Sequence, residues 1–514
     1  MNWLIYLLAI GAALACFGYG FSLARLLGVA VNPGDAGILG LTSLAILGCS
    51  IHFFYALTTT VQLLVIGFGL VMCAAFRREL VQHLPAQRVA LAVGASAFFH
   101  PYAFTFYDTG LYHLQSVMWN REFPITPGLG NLHGRLAFNS LLYVMAPLDD
   151  RSDVGWVSSL LLLVFVLMSL YTRFSQKPRE TVEFWFLAFA VGILALFTPA
   201  SWGGVLNADG FTSVLIVYSV SLWLSLPADR PRNIALMCAA GALALTVKLS
   251  GAPLLLIAIA AAWFHRRRGV SVWKPVTLSA LLLVLWMVRS LFLSGCAVYP
   301  VSQTCNFNLP WAVARAQVTG ESLSIEAWAR APESHDYHAV MANWSWLGPW
   351  IGRTLQNGSV VLFLAGLLGA CVTLWRGARV NRLIATAGAG LALGLAYWFV
   401  TAPDVRFGAG YFAAAGILGL SVMCSRYIPD MRTVPRLTLE AVGLAVLIGV
   451  AGLLQDGNRW SSQNRPVVHM RTAPGGQAVW VTQSDQQGGD QCWDHALPCT
   501  PYFDAEKLKR VGWR

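Results

Sequence analysis

The stretch YDTGLYHLQSVMWNREFPITPGLGNLHGRLAFNS, residues 107–140, begins where an apolar run at 88–107 ends. It concentrates Asp108, His113, Arg121, Glu122, His133 and Arg135 in a chain with only 11% charged and 56% hydrophobic residues. An apolar run that breaks off into ionisable groups reads as a membrane span opening onto a loop. The same alternation recurs along the whole sequence. Mean hydropathy is +0.59, and only helices or closed barrels satisfy their backbone in hydrocarbon. The expected fold is therefore an all-α polytopic membrane protein.

Apolar runs of about 17–22 residues give roughly fourteen spans. They fall at 3–23, 37–56, 59–76, 88–107, 155–172, 184–199, 211–227, 233–249, 251–265, 275–294, 356–375, 383–401, 410–427 and 437–454. The first resembles a signal peptide, with Ala-Leu-Ala-Cys ending at Cys16, but no Lys or Arg precedes it, so it reads as a retained span. The net charge of +11 comes from 35 Lys and Arg against 24 Asp and Glu. The basic residues sit in short clusters on alternate loops, which is an orientation signal rather than a nucleic-acid surface. That rule makes their side cytoplasmic and places 108–154, 200–210, 296–355, 402–409 and the tail 455–514 on the other face. Two close cysteine pairs, Cys296/Cys305 and Cys492/Cys499, fall in those outer segments, where an oxidising compartment favours disulfides over metal ligation.

Asp108 stands at the outer end of the fourth span. A carboxylate there can take a proton or hold a cation, or it can simply cap the next helix. Leu111, Leu114, Val117 and Met118 recur at helical spacing and predict a short amphipathic helix lying on the membrane, with His113 and Glu122 along it. Pro124, Pro127, Gly128, Gly130 and Gly134 then specify a shaped loop carrying His133 and Arg135, which could meet a phosphate or carboxylate, or a lipid headgroup. Asp209, Lys248 and Arg289 lie near outer span ends, facing a cavity or, for the two cations, snorkelling. Arg406 follows Asp404 in the turn PDVRFG and could pair with it locally. Together these groups suit a lipid phosphate or diphosphate with a carboxylate beside it. P-loop, Rossmann, HExxH and GxSxG patterns are absent, which argues against soluble-nucleotide chemistry.

Beyond the residues themselves, the sequence resembles the GT-C superfamily of polytopic glycosyltransferases. The likeness rests on the span running into Asp108, the helix with Tyr112 and His113, the Pro-rich first loop, SGCAVYP at 294–300 and the late PDVRFG turn. It is most similar to a bacterial branch with YDTGLYH, PGLGNLHGR and a CWxxxLPCTP tail, here Cys492 to Pro501. The resemblance implies a bundle of roughly 11–14 transmembrane helices, as the span count suggests. Residues 1–87 would form extra N-terminal helices, 88–454 the catalytic membrane domain and 455–514 a small periplasmic cap stapled by one disulfide. It also implies an inverting enzyme of the bacterial inner membrane, its site facing the periplasm, in cell-envelope glycan or polysaccharide synthesis. The donor would be a polyprenyl-phosphate-linked sugar and the acceptor a glycan, lipid or protein hydroxyl.

In that superfamily an acidic residue of the first outer loop acts as the base, a role that falls to Asp108. Arg289, Arg406 and Lys248 would hold the lipid phosphate, with Tyr112, His113, Glu122, His133, Arg135 and Asp209 shaping the substrate site. Some members hold a divalent metal, Mg or Mn, in the same loop. This chain has a single Asp where many show an acidic pair, so no metal ligand is assigned. An oligosaccharide polymerase or ligase, a flippase of lipid-linked sugar and a non-catalytic assembly protein are the alternatives; the flippase is disfavoured by the lack of internal repeats.

Overall fold

A computed structural model describes residues 3–83, 107–145, 156–176, 180–202, 207–428, 467–483 and 489–513. The spans read at 88–107, apart from Tyr107, and at 437–454 lie outside the described residues, as do 146–155 and the first part of the tail up to 466. Within the described residues the α-helices of seven residues or more are α1 (Trp3–Leu27), α2 (Pro33–His52), α3 (Thr59–Ala75), α4 (Arg77–His83), α5 (Leu114–Glu122), α6 (Trp156–Ser175), α7 (Thr181–Trp202), α8 (Ala208–Leu224), α9 (Arg230–Val247), α10 (Ala252–Arg266), α11 (Trp273–Ser294), α12 (Arg315–Arg330), α13 (Leu347–Leu355), α14 (Gly358–Trp375), α15 (Arg382–Thr401) and α16 (Val405–Tyr427). Seven helical stretches, corresponding to α1, α2, α10, α11, α14, α15 and α16, are long and apolar enough to cross a membrane, and four shorter apolar helices accompany them. The chain is a multi-pass membrane protein.

Local chemistry starts these helices where the apolar runs begin. Asn32, Thr58, Asn207, Asp229, Asn357, Asn381 and Asp404 each accept a backbone N–H of the first turn, satisfying donors that a helix start leaves open. Helix α9 is buried on almost every side and packs between α8, α10 and α11. Other crossings depend on small residues. A Cβ on Gly366 of α14 would come within 2.2 Å of the Gly416 carbonyl oxygen of α16, and one on Gly40 of α2 within 2.1 Å of the Cys16 carbonyl oxygen of α1. Such contacts replace the hydrophobic effect, which drives no helix pairing in lipid.

The two long loops and the tail meet at one end of the bundle. In the second loop Cys296 and Cys305 are disulfide-bonded, and Val313 N–H donates to the Ser294 carbonyl at 3.0 Å, folding the loop back on α11. Its helix α12 reaches the first loop, where Gln317 donates to the Gly130 carbonyl at 3.1 Å.

The tail corrects the all-α expectation. Strands β1 (Val468–Thr472) and β2 (Ala478–Thr482) form an antiparallel pair, with β3 (Cys499–Thr500) parallel to β2. Gly475 and Gly476, at φ 99° and 87°, make the turn between the first two, a conformation glycine adopts without a Cβ clash. The Cys492–Cys499 disulfide is present. This small sheet domain sits on the first loop: Trp493 N–H donates to the Gly110 carbonyl at 2.9 Å, Thr500 to the Leu132 carbonyl at 2.7 Å, and Gly512 N–H to the Pro127 carbonyl at 2.8 Å.

That docking also corrects the surface helix expected after Asp108. A π-helical turn, Thr109–His113, runs into α5, and Leu114 through Asn120 are all buried. Gln115 donates to the Trp493 and His495 carbonyls, both at 2.9 Å, and Asn120 to the Tyr143 carbonyl at 3.0 Å. The face that the hydrophobic spacing leaves polar is covered by protein, so the helix lies inside the loop assembly.

Candidate functional site

Asp108 begins the π-helical turn but makes no side-chain cap to it, which leaves its carboxylate to other partners. Arg135 Nη1 lies 3.2 Å from Asp108 Oδ1, and Arg406 Nη1 lies 3.9 Å from Oδ2. The first loop thus folds its own Gly- and Pro-shaped segment back onto Asp108, and the turn before α16 closes on its other oxygen. Arg135 also reaches Glu321 of α12, with Nε 3.5 Å from Oε1. Arg406 keeps its local partner too, with Nε 3.3 Å from Asp404 Oδ1.

A second pair stands next to this one. Lys248, at the end of α9, is bonded to Asp209, in the first turn of α8. Phe407 joins the two groups: the Lys248 ammonium lies 3.9 Å from its ring centre and the Arg406 guanidinium 5.5 Å. The ring centre of Trp328 of α12 also lies 4.8 Å from the Arg406 guanidinium. Of Arg135, Lys248 and Arg406, Arg406 has the most exposed side chain, so an anion reaching this end of the bundle meets it first.

Electrostatics follow from burial in the loop assembly. Burial acts to lower the pKa of Arg135, yet Glu321, Tyr112 and Asp108 raise it above the ordinary guanidinium value, so it stays a cation. Burial pushes the Glu321 carboxyl up, against the pull of Arg135. His113 falls to about 4 through burial, with Asp108 opposing and Lys248 assisting. His133 falls to about 3 through burial and the nearby Arg135. Both histidines are neutral at pH 7.

A histidine whose folded pKa lies below its ordinary 6.5 contributes full stability above pH 6.5. That contribution is lost as pH falls below 6.5, because the unfolded chain takes up the proton first, until the folded pKa is reached. Each should cost about 1.4 kcal/mol per pH unit in that window. The melting temperature in detergent should therefore drop between pH 6.5 and 5 less steeply in a His113→Gln/His133→Gln variant than in the native chain. Equal slopes would contradict the burial of these two rings.

The remaining predicted residues are placed as follows. Tyr112 lies edge-on to His113 and Phe138, with the Arg135 guanidinium 5.9 Å from its ring centre. His133 faces Tyr502 of the tail. Glu122 is exposed at the far end of α5. Arg289 is not brought to the cluster: it is buried and donates to Asn139 and, at 2.8 Å, to Asn120. It clamps the first loop to α11. Sequence reading missed Glu321 and Trp328, which sit in the ordinary amphipathic pattern of α12.

The donor set does not suit a divalent metal. Both Asp108 oxygens face guanidinium groups, and among the described residues no group of three or more His, Cys, Asp or Glu side chains is arranged to hold one. The cluster can instead accept a proton at Asp108 and bind an anion at Arg406 and Lys248.

No curated protein and no solved structure matches the chain. The matched family region runs from α1 into α16, taking in Asp108, Arg135, Asp209, Lys248, Glu321 and Arg406 and leaving out the tail sheet. By that match over residues 3–413, the chain belongs to the family described as Domain of unknown function (DUF8201).

Proposed function

We propose that this protein is an inverting glycosyltransferase of the GT-C type, which moves a sugar from a polyprenyl-phosphate carrier to a hydroxyl acceptor on the periplasmic face of a bacterial inner membrane. One observation carries the reading: a half-buried carboxylate, Asp108, stands within ion-pair reach of Arg406, the most exposed of the neighbouring cations, at the end of a membrane bundle. A lipid phosphate arriving at the bilayer surface supplies the anion that such a cation takes, and transfer from it needs a base beside it.

In this mechanism the acceptor oxygen attacks C1 of the sugar and gives its proton to Asp108. The bond from C1 to the phosphate oxygen breaks, and the phosphate leaves with the electron pair, its growing charge offset by Arg406 and Lys248. Direct attack inverts the anomeric carbon. When the phosphate engages Arg406, that guanidinium is drawn from Asp108 Oδ2, which frees the oxygen to act as base. Arg135, held by Glu321, keeps the other oxygen oriented. Arg289 serves this scheme indirectly, by fixing Asn120 and Asn139 of the same loop.

The phosphate assignment is tested by binding. Arg406→Ala should weaken the affinity of the detergent-solubilised protein for polyprenyl phosphate about tenfold or more, the loss of one charge-assisted hydrogen bond. Arg406→Lys should retain part of it, because a point charge replaces the fork. Native-like affinity in Arg406→Ala would remove Arg406 from the scheme.

A further inference from the structure

The second loop carries a face that neither the cluster nor the bundle uses. Helix α13 turns Leu347, Trp350 and Thr354 inward but leaves Ile351 and Leu355, one turn apart, 43% and 49% exposed. Trp344, just before it, is 65% exposed. From Trp344 inward, Trp346, Trp350, Trp398 and Phe399 continue a run of rings with centres 5.4–6.3 Å apart. Arg330 and Arg353 edge the run. Arg330 donates to the Val400 carbonyl at 3.0 Å and the Thr401 carbonyl at 3.3 Å, and Arg353 to the Arg330 carbonyl at 2.7 Å.

All these groups lie at one level of the fold, where α15 ends at Thr401, α16 starts at Val405 and α14 starts at Gly358. Tryptophan and arginine gathered at the ends of several spans are the composition of a membrane interface, where a ring buries its apolar body and keeps its polar edge wet. The exposed face also continues into the bundle's outer surface: Gln356 and Asn357 alone separate α13 from α14, whose Val361, Leu364, Leu367 and Leu368 are exposed apolar residues. In water that combined surface would be a large apolar patch; against lipid it is one continuous wall.

We infer that α13 is an interfacial helix that lies in the headgroup layer of the bilayer, with Trp344, Ile351 and Leu355 dipped into phospholipid. Its partner is the phospholipid surface itself. The consequence reaches the candidate site, because Trp350 Nε1 donates to the Pro403 carbonyl at 2.5 Å, in the turn that presents Arg406. An anchored α13 therefore sets Arg406 at headgroup height, where an anion held in the membrane approaches it sideways. The inference on α13 does not depend on sugar transfer.

Nitroxide labels at Ile351→Cys, Leu355→Cys and, as a water-facing reference, His335→Cys test this in the full chain. A Cys371→Ser/Cys424→Ser background removes the two free thiols that are not buried. In phosphatidylcholine and phosphatidylglycerol vesicles, labels at 351 and 355 should relax with oxygen and lose most of the nickel-chelate collisions seen at 335. Nickel collisions at 351 and 355 equal to those at 335 would overturn the proposal, and the activity of the chain has no bearing on either result.

Discussion

Asp108→Asn should reduce sugar transfer by about 10²–10⁴-fold, the usual contribution of a general base, while the protein still expresses, extracts as a monodisperse species and binds polyprenyl phosphate. Asparagine keeps the size of the side chain and can still accept a hydrogen bond from Arg135, so the loop assembly should survive. What it loses is the negative charge that takes the proton. Loss of transfer with phosphate binding intact separates the base from the anion site. Asp108→Glu should restore only part of the rate, because the longer side chain presses the carboxylate against Arg135 and Arg406, which lie 3.2 and 3.9 Å away. Unchanged turnover in Asp108→Asn would leave an assembly role for the cluster, one in which its ion pairs are structural.

The second large effect concerns the bundle that carries the site. Gly416→Leu should destabilise the protein by at least about 1–3 kcal/mol, the ordinary cost of overpacking, and reduce the folded yield in detergent. A Cβ at Gly416 would lie 2.6 Å from the Leu362 carbonyl oxygen, which belongs to the backbone of α14 and cannot rotate away. Helices α14 and α16 would have to part, and α16 begins beside Arg406. Gly388→Leu in α15 is the control, since a Cβ there meets nothing within 4 Å. That change should be neutral or mildly stabilising, as leucine is the better helix former by up to about 1 kcal/mol. Equal losses from both would show that α14 and α16 do not cross on these glycines.

The membrane architecture was legible because lipid imposes a strict rule: a span must be apolar for about 20 residues, with its caps and charges outside. Helices α2, α11 and α15 accordingly begin and end within a few residues of the runs read from composition. Ile351 and Leu355 escaped the same reading because nine residues make less than half a span. The cluster was legible only in part. Asp108, Lys248 and Arg406 announced themselves as charges at span ends, but nothing local told that Arg135 returns to Asp108 across 27 positions of chain. Glu321 sits in a helix whose polar residues look like any solvated face. Arg289 was legible as a charge at a span end, but its partners were not. Asn120 and Asn139 lie 169 and 150 positions away and carry no pattern. In the tail the close cysteine pair was legible and the strands were not, because docking on the first loop, not length or hydrophobicity, buries β2 and β3.

Whether this end of the bundle transfers sugar from a lipid phosphate is decided by a transfer assay on the purified protein in vesicles. A panel of polyprenyl-phosphate-linked sugars, labelled in the sugar, would be supplied with glycan, lipid and peptide acceptors. Label should appear on an acceptor with inverted anomeric configuration, with release of polyprenyl phosphate, for at least one donor, and no label should transfer with Asp108→Asn. Label that crosses the vesicle membrane still attached to its carrier, or remains on the donor across the whole panel, would contradict sugar transfer.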